Sequence, residues 1–408
     1  MRRIVYLIEQ PLDQRNFERF GIQNWIDHYW GVEVWDLTPW AHPNVWKNYL
    51  ESGRELKRFA GYFPIASGNQ LKVRFSEFAP IECFVDLTGE NYCCLRVKSS
   101  LHRRRAMRII CDAGSIPVPK NAGTSGLGSK MRKAVAKGPI KFINALGSAV
   151  LRQLAAAFVR PDLAIVSGER SVSSGRQSRE MVKAHSFDYD TYLRLAKSND
   201  VPTQKYAVFL DQNLCFHSDF IYQDVPFFIT PEKYFPAIRR CLNQIASSLK
   251  VDVRIAAHPR ASYENGKFDY FNGFRVVYGR TAELIKNCEL VVCHDSTAIH
   301  FAVLFKKPIV FVTTDELMPS YEGRSIAQAA SEFGKLPLNL DTDLQRVDWH
   351  KEAQVDSVKY AVYKNEFIKT NSSPERPMWE IVIDYMERRK KGTSAGMSDK
   401  SFYVGGGG

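Results

Sequence analysis

The sequence predicts an α/β protein built from two doubly wound parallel sheets that face each other across a cleft. Three observations carry this. Short runs rich in Val, Ile, Leu and Phe recur along the chain, helix-length segments separate them, and a polar stretch near the middle divides them into two series. Continuous apolar runs mark strands buried on both faces, as in a parallel sheet covered by helices.

The first series is RIVYLI, VEVWDL, ECFVDL, RIICDAG and LAIVSG; the second is YAVFLD, VDVRIAAH, FRVVYG, LVVCHD and PIVFVT. Ten strands suit two sheets better than one. The stretch AHSFDYDTYLRLAKSNDVPTQ, residues 184–204, separates the series with polar residues and Pro202. The expected division is therefore an N-terminal domain over 1–195 and a second over 196–355, with helices over 356–390 packing back on the first domain. Residues 391–408, ending in SFYVGGGG, lose hydrophobic periodicity and read as a flexible tail.

The chain has 408 residues, 45% of them hydrophobic, which is enough for two cored domains. Lysine and arginine total 56 against 44 acidic residues, and the net charge of +12 favours an anionic partner. The basic residues are dispersed and lack interleaved aromatics, which argues against nucleic acid as that partner. The opening MRRIVYLIEQPL is broken by Glu9 and reads as a first strand, so a cytoplasmic location is expected. FINALGSAVLRQLAAAFV, residues 142–159, is interrupted by Arg152 and Gln153 and is too short and broken to span a membrane. Preceded by the basic, Gly-rich 120–141, it reads as a buried or interfacial helix, suited to peripheral contact with an acidic inner-membrane surface. The eight cysteines form no CxxC pair and read as reduced thiols.

In facing α/β sheets ligands bind at the C-terminal strand ends, so polar residues there are the candidates. In the second series these are Asp211 after YAVFL, His258 and Arg260 after VDVRIAA, Arg280 and Thr281 after FRVVYG, and His294 to Thr297 after LVVC. Arg260 and Arg280 offer forked donors for phosphate or carboxylate. Ser296 and Thr297 offer hydroxyls where a helix starts, serving as helix caps, as phosphate ligands, or as both. Asp211 either bonds the amides of its own turn or projects into the cleft as nucleophile or base. In the first domain Glu169, in IVSGERS, places a second carboxylate at a strand end, and Glu9, Asp13 and Arg15 follow strand one. Asp188 to Asp190, DYD, sit at the domain junction and read as structural.

No Walker A sequence, no GxGxxG after strand one and no GxSxG elbow is present, which weakens kinase, ATPase, dehydrogenase and hydrolase readings. The motifs RIVYLIEQPLDQRNFERFG, VEVWDLTPWAHP, RIICDAGSIP, KYAVFLDQNLCFHSDF, HPR and YGRTAELIKNCELVVCHDSTAIHFAV resemble GT-B glycosyltransferases that use CMP-activated acidic sugars. As a set they resemble the retaining β-Kdo transferase domains of bacterial O-antigen and capsule assembly. The resemblance implies a metal-independent transfer of Kdo from CMP-β-Kdo to a saccharide acceptor, free or lipid-linked, with no cofactor. It implies that His258, Arg260, Ser296 and Thr297 hold CMP, with Arg280 or Thr281 near the phosphate or the Kdo carboxylate. Retention implies a double displacement with Asp211 as the matching nucleophile, and Glu169 or a phosphate oxygen as base. A GT-B transferase of another nucleotide sugar, such as an inverting CMP-sialic acid enzyme, is the alternative, and a noncatalytic module for anionic ligands is a third.

Overall fold

The computed structural model describes residues 2–76, 81–89, 91–114, 116, 117, 119, 160–175, 177–198, 204–216, 228–259, 261, 263 and 268–394. The basic segment and apolar helix expected over 120–159 lie outside the described residues.

Two parallel sheets are formed. The first has seven strands in the order β3-β2-β1-β4-β5-β6-β7. They are β1 (Arg3–Ile8), β2 (Gly31–Asp36), β3 (Tyr62–Pro64), β4 (Cys83–Asp86), β5 (Met107–Asp112), β6 (Leu163–Val166) and β7 (Glu180–Lys183). The second has six in the order β10-β9-β8-β11-β12-β13. These are β8 (Tyr206–Leu210), β9 (Asp252–Ala256), β10 (Arg275–Val277), β11 (Leu290–Cys293), β12 (Ile309–Thr313) and β13 (Leu338–Asn339). In both sheets the chain starts at a central strand, works outward, and returns to the strand's other side. That reversal creates a switch point beside β1 and β4 in the first sheet and beside β8 and β11 in the second.

All ten expected strands are present. The three additional ones, β3, β7 and β13, are edge strands of two to four residues. Their sequences YFP, EMVK and LN lack the continuous apolar run of a strand covered on both faces, because an edge strand has a neighbour on one side only.

The central strands are buried throughout, as in YAVFL of β8 and LVVC of β11. Helix Pro231–Leu249 covers the second sheet with Tyr234, Phe235, Ile238, Leu242 and Ile245, spaced for one helical face. The first sheet has a core on each side, one around Tyr6, Trp25 and Val85, the other around Trp35, Leu71 and Val97. After β13, Trp349, Tyr360, Tyr363 and Phe367 pack in the second core. The chain then crosses back: Ser186 N–H donates to the Ile368 carbonyl (2.7 Å) and Lys369 pairs with His185. Helix Met378–Ser394 delivers Met378, Trp379, Val382 and Met386 to the first core. It runs past the expected boundary, with residues 391–394 of the expected tail helical, and Arg389 pairs with Glu180 of β7 (3.0 Å).

Candidate functional site

Strands β10, β9, β8 and β11 lie side by side, so the polar residues at their C-terminal ends share one edge. Hydrogen bonds tie three of these ends together. Asp211, one residue past β8, accepts from its own turn through Asn213 N–H (2.9 Å) and from the end of β9 through His258 N–H (3.2 Å). The Tyr263 hydroxyl lies 3.1 Å from both of its carboxylate oxygens. On the other side, Gln212 and Asp295 bond reciprocally. The Gln212 amide donates to Asp295 Oδ1 (3.0 Å) and its oxygen accepts from Asp295 N–H (3.3 Å), fixing the loop after β11 to that after β8.

Asp211 is only 5% exposed. Burial raises its pKa, although the N–H groups of Asn213 and His258 and the Tyr263 hydroxyl act in the opposite direction. Burial likewise raises Asp295 to about 6, against the relief given by Gln212. A carboxylate held at that value takes or releases a proton near neutral pH.

Ser296 is half-buried and Thr297 exposed. Ser296 Oγ accepts from Ala298 N–H (3.2 Å), and the helix starts later than expected, at Ile299. Ser296 and Thr297 therefore lie in a turn preceding that helix. Their carbonyls take the N–H groups of Ile299 and His300 (both 3.1 Å) in the tighter three-residue spacing. His294, at the strand end in sequence, is fully buried and donates one ring nitrogen to the Val312 carbonyl (2.7 Å), while the Tyr234 hydroxyl bonds the other (2.8 Å). Burial lowers its pKa to about 4, so it is a neutral spacer under the edge. Arg280 is exposed at the start of helix Thr281–Asn287, whose first residue is the half-buried Thr281. Arg260 lies outside the described residues.

Glu169 is separate from this group. It opens helix Glu169–Gly175 after β6, with its carboxylate 3.6 Å from Lys183 Nζ. That turn packs against the crossing segment: the Ser167 hydroxyl donates to the Phe367 carbonyl (3.3 Å), Arg170 pairs with Glu366 (2.9 Å), and a Cβ at Gly168 would collide with the Glu366 backbone.

The first sheet has its own constellation, not assembled from the sequence beyond Glu9 itself. At the switch beside β1 and β4, Glu9 accepts from Gly89 N–H (2.6 Å) and the Asn91 amide (2.7 Å), with His42 Nε2 at 3.3 Å. His42 stands in PWAHP after β2, so applying the strand-end rule to the first series would have found it. Near the junction, Asp188 bonds His300 Nδ1 (3.1 Å), drawing the DYD stretch to the helix after β11. Burial pushes the Asp188 carboxyl up, but the His300 contact and the charges of Arg19 and Arg15 outweigh it and leave it lowered.

Among the described residues no group of three His, Cys, Asp or Glu side chains could hold a metal ion, and no helix is long and apolar enough to cross a membrane.

The chain matches no protein-family profile and no curated protein sequence. Solved structures do resemble it. The glycotransferase of kitacinnamycin aligns at a TM-score of 0.52 and 11% identity, over 95% of this chain and 98% of that one. The S. aureus MnaA–UDP structure aligns at 0.51 and 12% identity, over 96% and 98%. A variant of the wall teichoic acid polymerase TagF aligns at 0.51 and 10% identity, over 95% and 90%. At such identities the likeness is one of fold, and with the two switch-point sheets it gives this chain a GT-B-like architecture.

Proposed function

We propose that the chain is a glycosyltransferase that moves Kdo from CMP-β-Kdo to a saccharide acceptor of a bacterial surface glycan with retention of configuration. One observation carries the reading. In a GT-B-like fold, Asp211, the His258 backbone and the Asp295–Ser296 turn are held together across the switch point of the second sheet, where such folds bind ligands. In this reading 1–195 is the acceptor side, 196–355 the donor side, and 356–390 packs back on the first domain.

His258, Arg260, Ser296 and Thr297 hold CMP, and Arg280 or Thr281 meets its phosphate or the Kdo carboxylate. Donors converging on the phosphate stabilise the charge that develops as CMP leaves. The Asp211 carboxylate bonds the anomeric carbon as the C–O bond to CMP breaks. The acceptor hydroxyl then attacks that carbon, its proton passes to the base, and the Asp211 carboxylate is released. For Asp211 to act this way the Tyr263 hydroxyl has to yield its place on the carboxylate. For Glu169 to be the base, the acceptor has to enter beside the crossing segment Lys364–Ile368.

The burial and saturation of Asp211 favour a second reading, a GT-B transferase of another nucleotide sugar in which Asp211 is structural. CMP release measured with CMP-Kdo, CMP-sialic acid and UDP-sugars separates the two. Turnover of CMP-Kdo alone supports the first reading; turnover of another donor supports the second; no turnover of any CMP-sugar defeats the Kdo assignment.

A further inference from the structure

A groove of about 350 Å³ runs between helices Gly68–Ser76 and Tyr92–Arg103, on the side of the first sheet opposite the returning helix Met378–Ser394. Residues at helical spacing face each other across it, and Gly68 leaves room for the Arg96 guanidinium, 3.3 Å from where a Cβ would stand. The floor is apolar, formed by Leu71 and Phe75. The rim is cationic, formed by Lys72, Arg96, Arg103 and Arg104, and no carboxylate lines it among the described residues.

These four charges differ from the paired cations of the same domain. Lys98 and Arg108 are paired with Asp86, and Arg74 with Glu33. The rim cations make no ion pair with an acidic side chain among the described residues. Other contacts orient the three arginines. The Arg104 guanidinium stacks 4.0 Å from the Phe75 ring, and that of Arg96 lies 5.6 Å from the rings of both Trp40 and Tyr92. Arg103 Nε donates to the Ser99 carbonyl (3.3 Å). Beside the groove two large apolar side chains face solvent, Val73 at 55% and Tyr92 at 58% exposure.

Cations with no acidic partner among the described residues, set around an apolar floor and flanked by an exposed aliphatic and an exposed tyrosine, match an interface that is anionic at one depth and apolar just below it. That is the chemistry of an acidic phospholipid surface. We propose that the outer face of helices Gly68–Ser76 and Tyr92–Arg103 is a docking surface for anionic membrane lipid, the cations meeting headgroup phosphates and Val73 and Tyr92 entering the acyl boundary. The inference does not depend on the sugar donor. It places the membrane contact on this face, independently of the basic segment 120–141.

The test is sedimentation of the full chain with phosphatidylcholine vesicles, with and without phosphatidylglycerol. Binding is expected only with phosphatidylglycerol, falling as salt rises. Each cation at such a surface contributes about 1 kcal/mol, so Lys72→Gln/Arg103→Gln should weaken the partition roughly 25-fold. Arg103→Lys should keep it, because a point charge suffices. The double variant should retain the parent's melting temperature and its CMP release with a soluble acceptor, separating docking from folding and chemistry. Failure of the parent to bind anionic vesicles, or equal binding by the double variant, would overturn the assignment. Displacement by equimolar inorganic pyrophosphate would show a soluble phosphate site and overturn the lipid assignment.

Discussion

Replacing Asp295 by Asn should make the protein more stable at neutral pH and less active. Burial lifts this carboxyl from 3.8 to about 6. The folded chain therefore holds the proton more tightly than the unfolded chain, so stability falls as pH rises through the interval between about 4 and about 6, and stays depressed above it. A displacement of that size corresponds to about 3 kcal/mol. Asp295 is half-buried and water relieves part of this, so about 2 kcal/mol is the expected gain for a side chain that cannot ionise. Asparagine keeps an oxygen able to accept from the Gln212 amide (3.0 Å in the parent). For a domain of this size the gain corresponds to a rise in melting temperature of about 4–8 °C at pH 7.5. At pH 4, where the parent carboxyl is protonated when folded, the difference should shrink below about 1 kcal/mol. Calorimetry at the two pH values decides. A carboxylate kept at such a cost on the edge proposed to bind the donor implies a role in binding, so CMP release should fall in the stabilised variant. No gain at pH 7.5, or the same gain at both pH values, would refute the reasoning.

Four further outcomes are expected. Ser296→Ala removes a hydroxyl that accepts a 3.2 Å hydrogen bond from Ala298 N–H. It should cost the fold about 1 kcal/mol or less in thermal melts while weakening CMP affinity about tenfold by titration calorimetry. Gly21→Ala should destabilise the first domain, since Gly21 has a φ of +59° and a Cβ there would collide with the Trp379 indole. Trp379→Ala should cost about 3–5 kcal/mol in denaturant unfolding, because that side chain is 1% exposed and its N–H donates to the Arg19 carbonyl (2.9 Å). Asp188→Asn should cost about 1–3 kcal/mol at pH 7 by losing the charged contact to His300. Because the folded pKa of Asp188 is lowered, its stabilisation is present above 3.8 and lost as pH falls through the folded value. Acid unfolding of the variant should therefore be less steep.

The interior of the fold was legible because strands such as YAVFL and LVVC are covered on both faces and carry an unbroken apolar signature. YFP, EMVK and LN carry none, since an edge strand takes its partner from the sheet and needs no such run. The polar edge of the second sheet was legible one strand end at a time, as Asp211, His258 and Ser296. The bonds that assemble it run through Gln212, Tyr263 and backbone N–H groups, whose residue types have no pattern to find. His294 shows the opposite failure. It reads as an edge residue, yet the main chain turns it under the sheet, where Tyr234, sixty residues away, satisfies it. Glu169 was correctly placed at a strand end. The packing of its turn against residues 364–368 depends on the chain's return, nearly two hundred residues later, and lies beyond local sequence.

Intact mass spectrometry of the full chain incubated with CMP-β-Kdo and no acceptor probes the proposed chemistry most directly. The expected spectrum shows one added Kdo residue, mapped by peptide fragmentation to Asp211, accompanied by one equivalent of CMP and absent from Asp211→Asn. CMP-Kdo turnover with an acceptor but no adduct at Asp211 would make that residue structural and the covalent mechanism wrong.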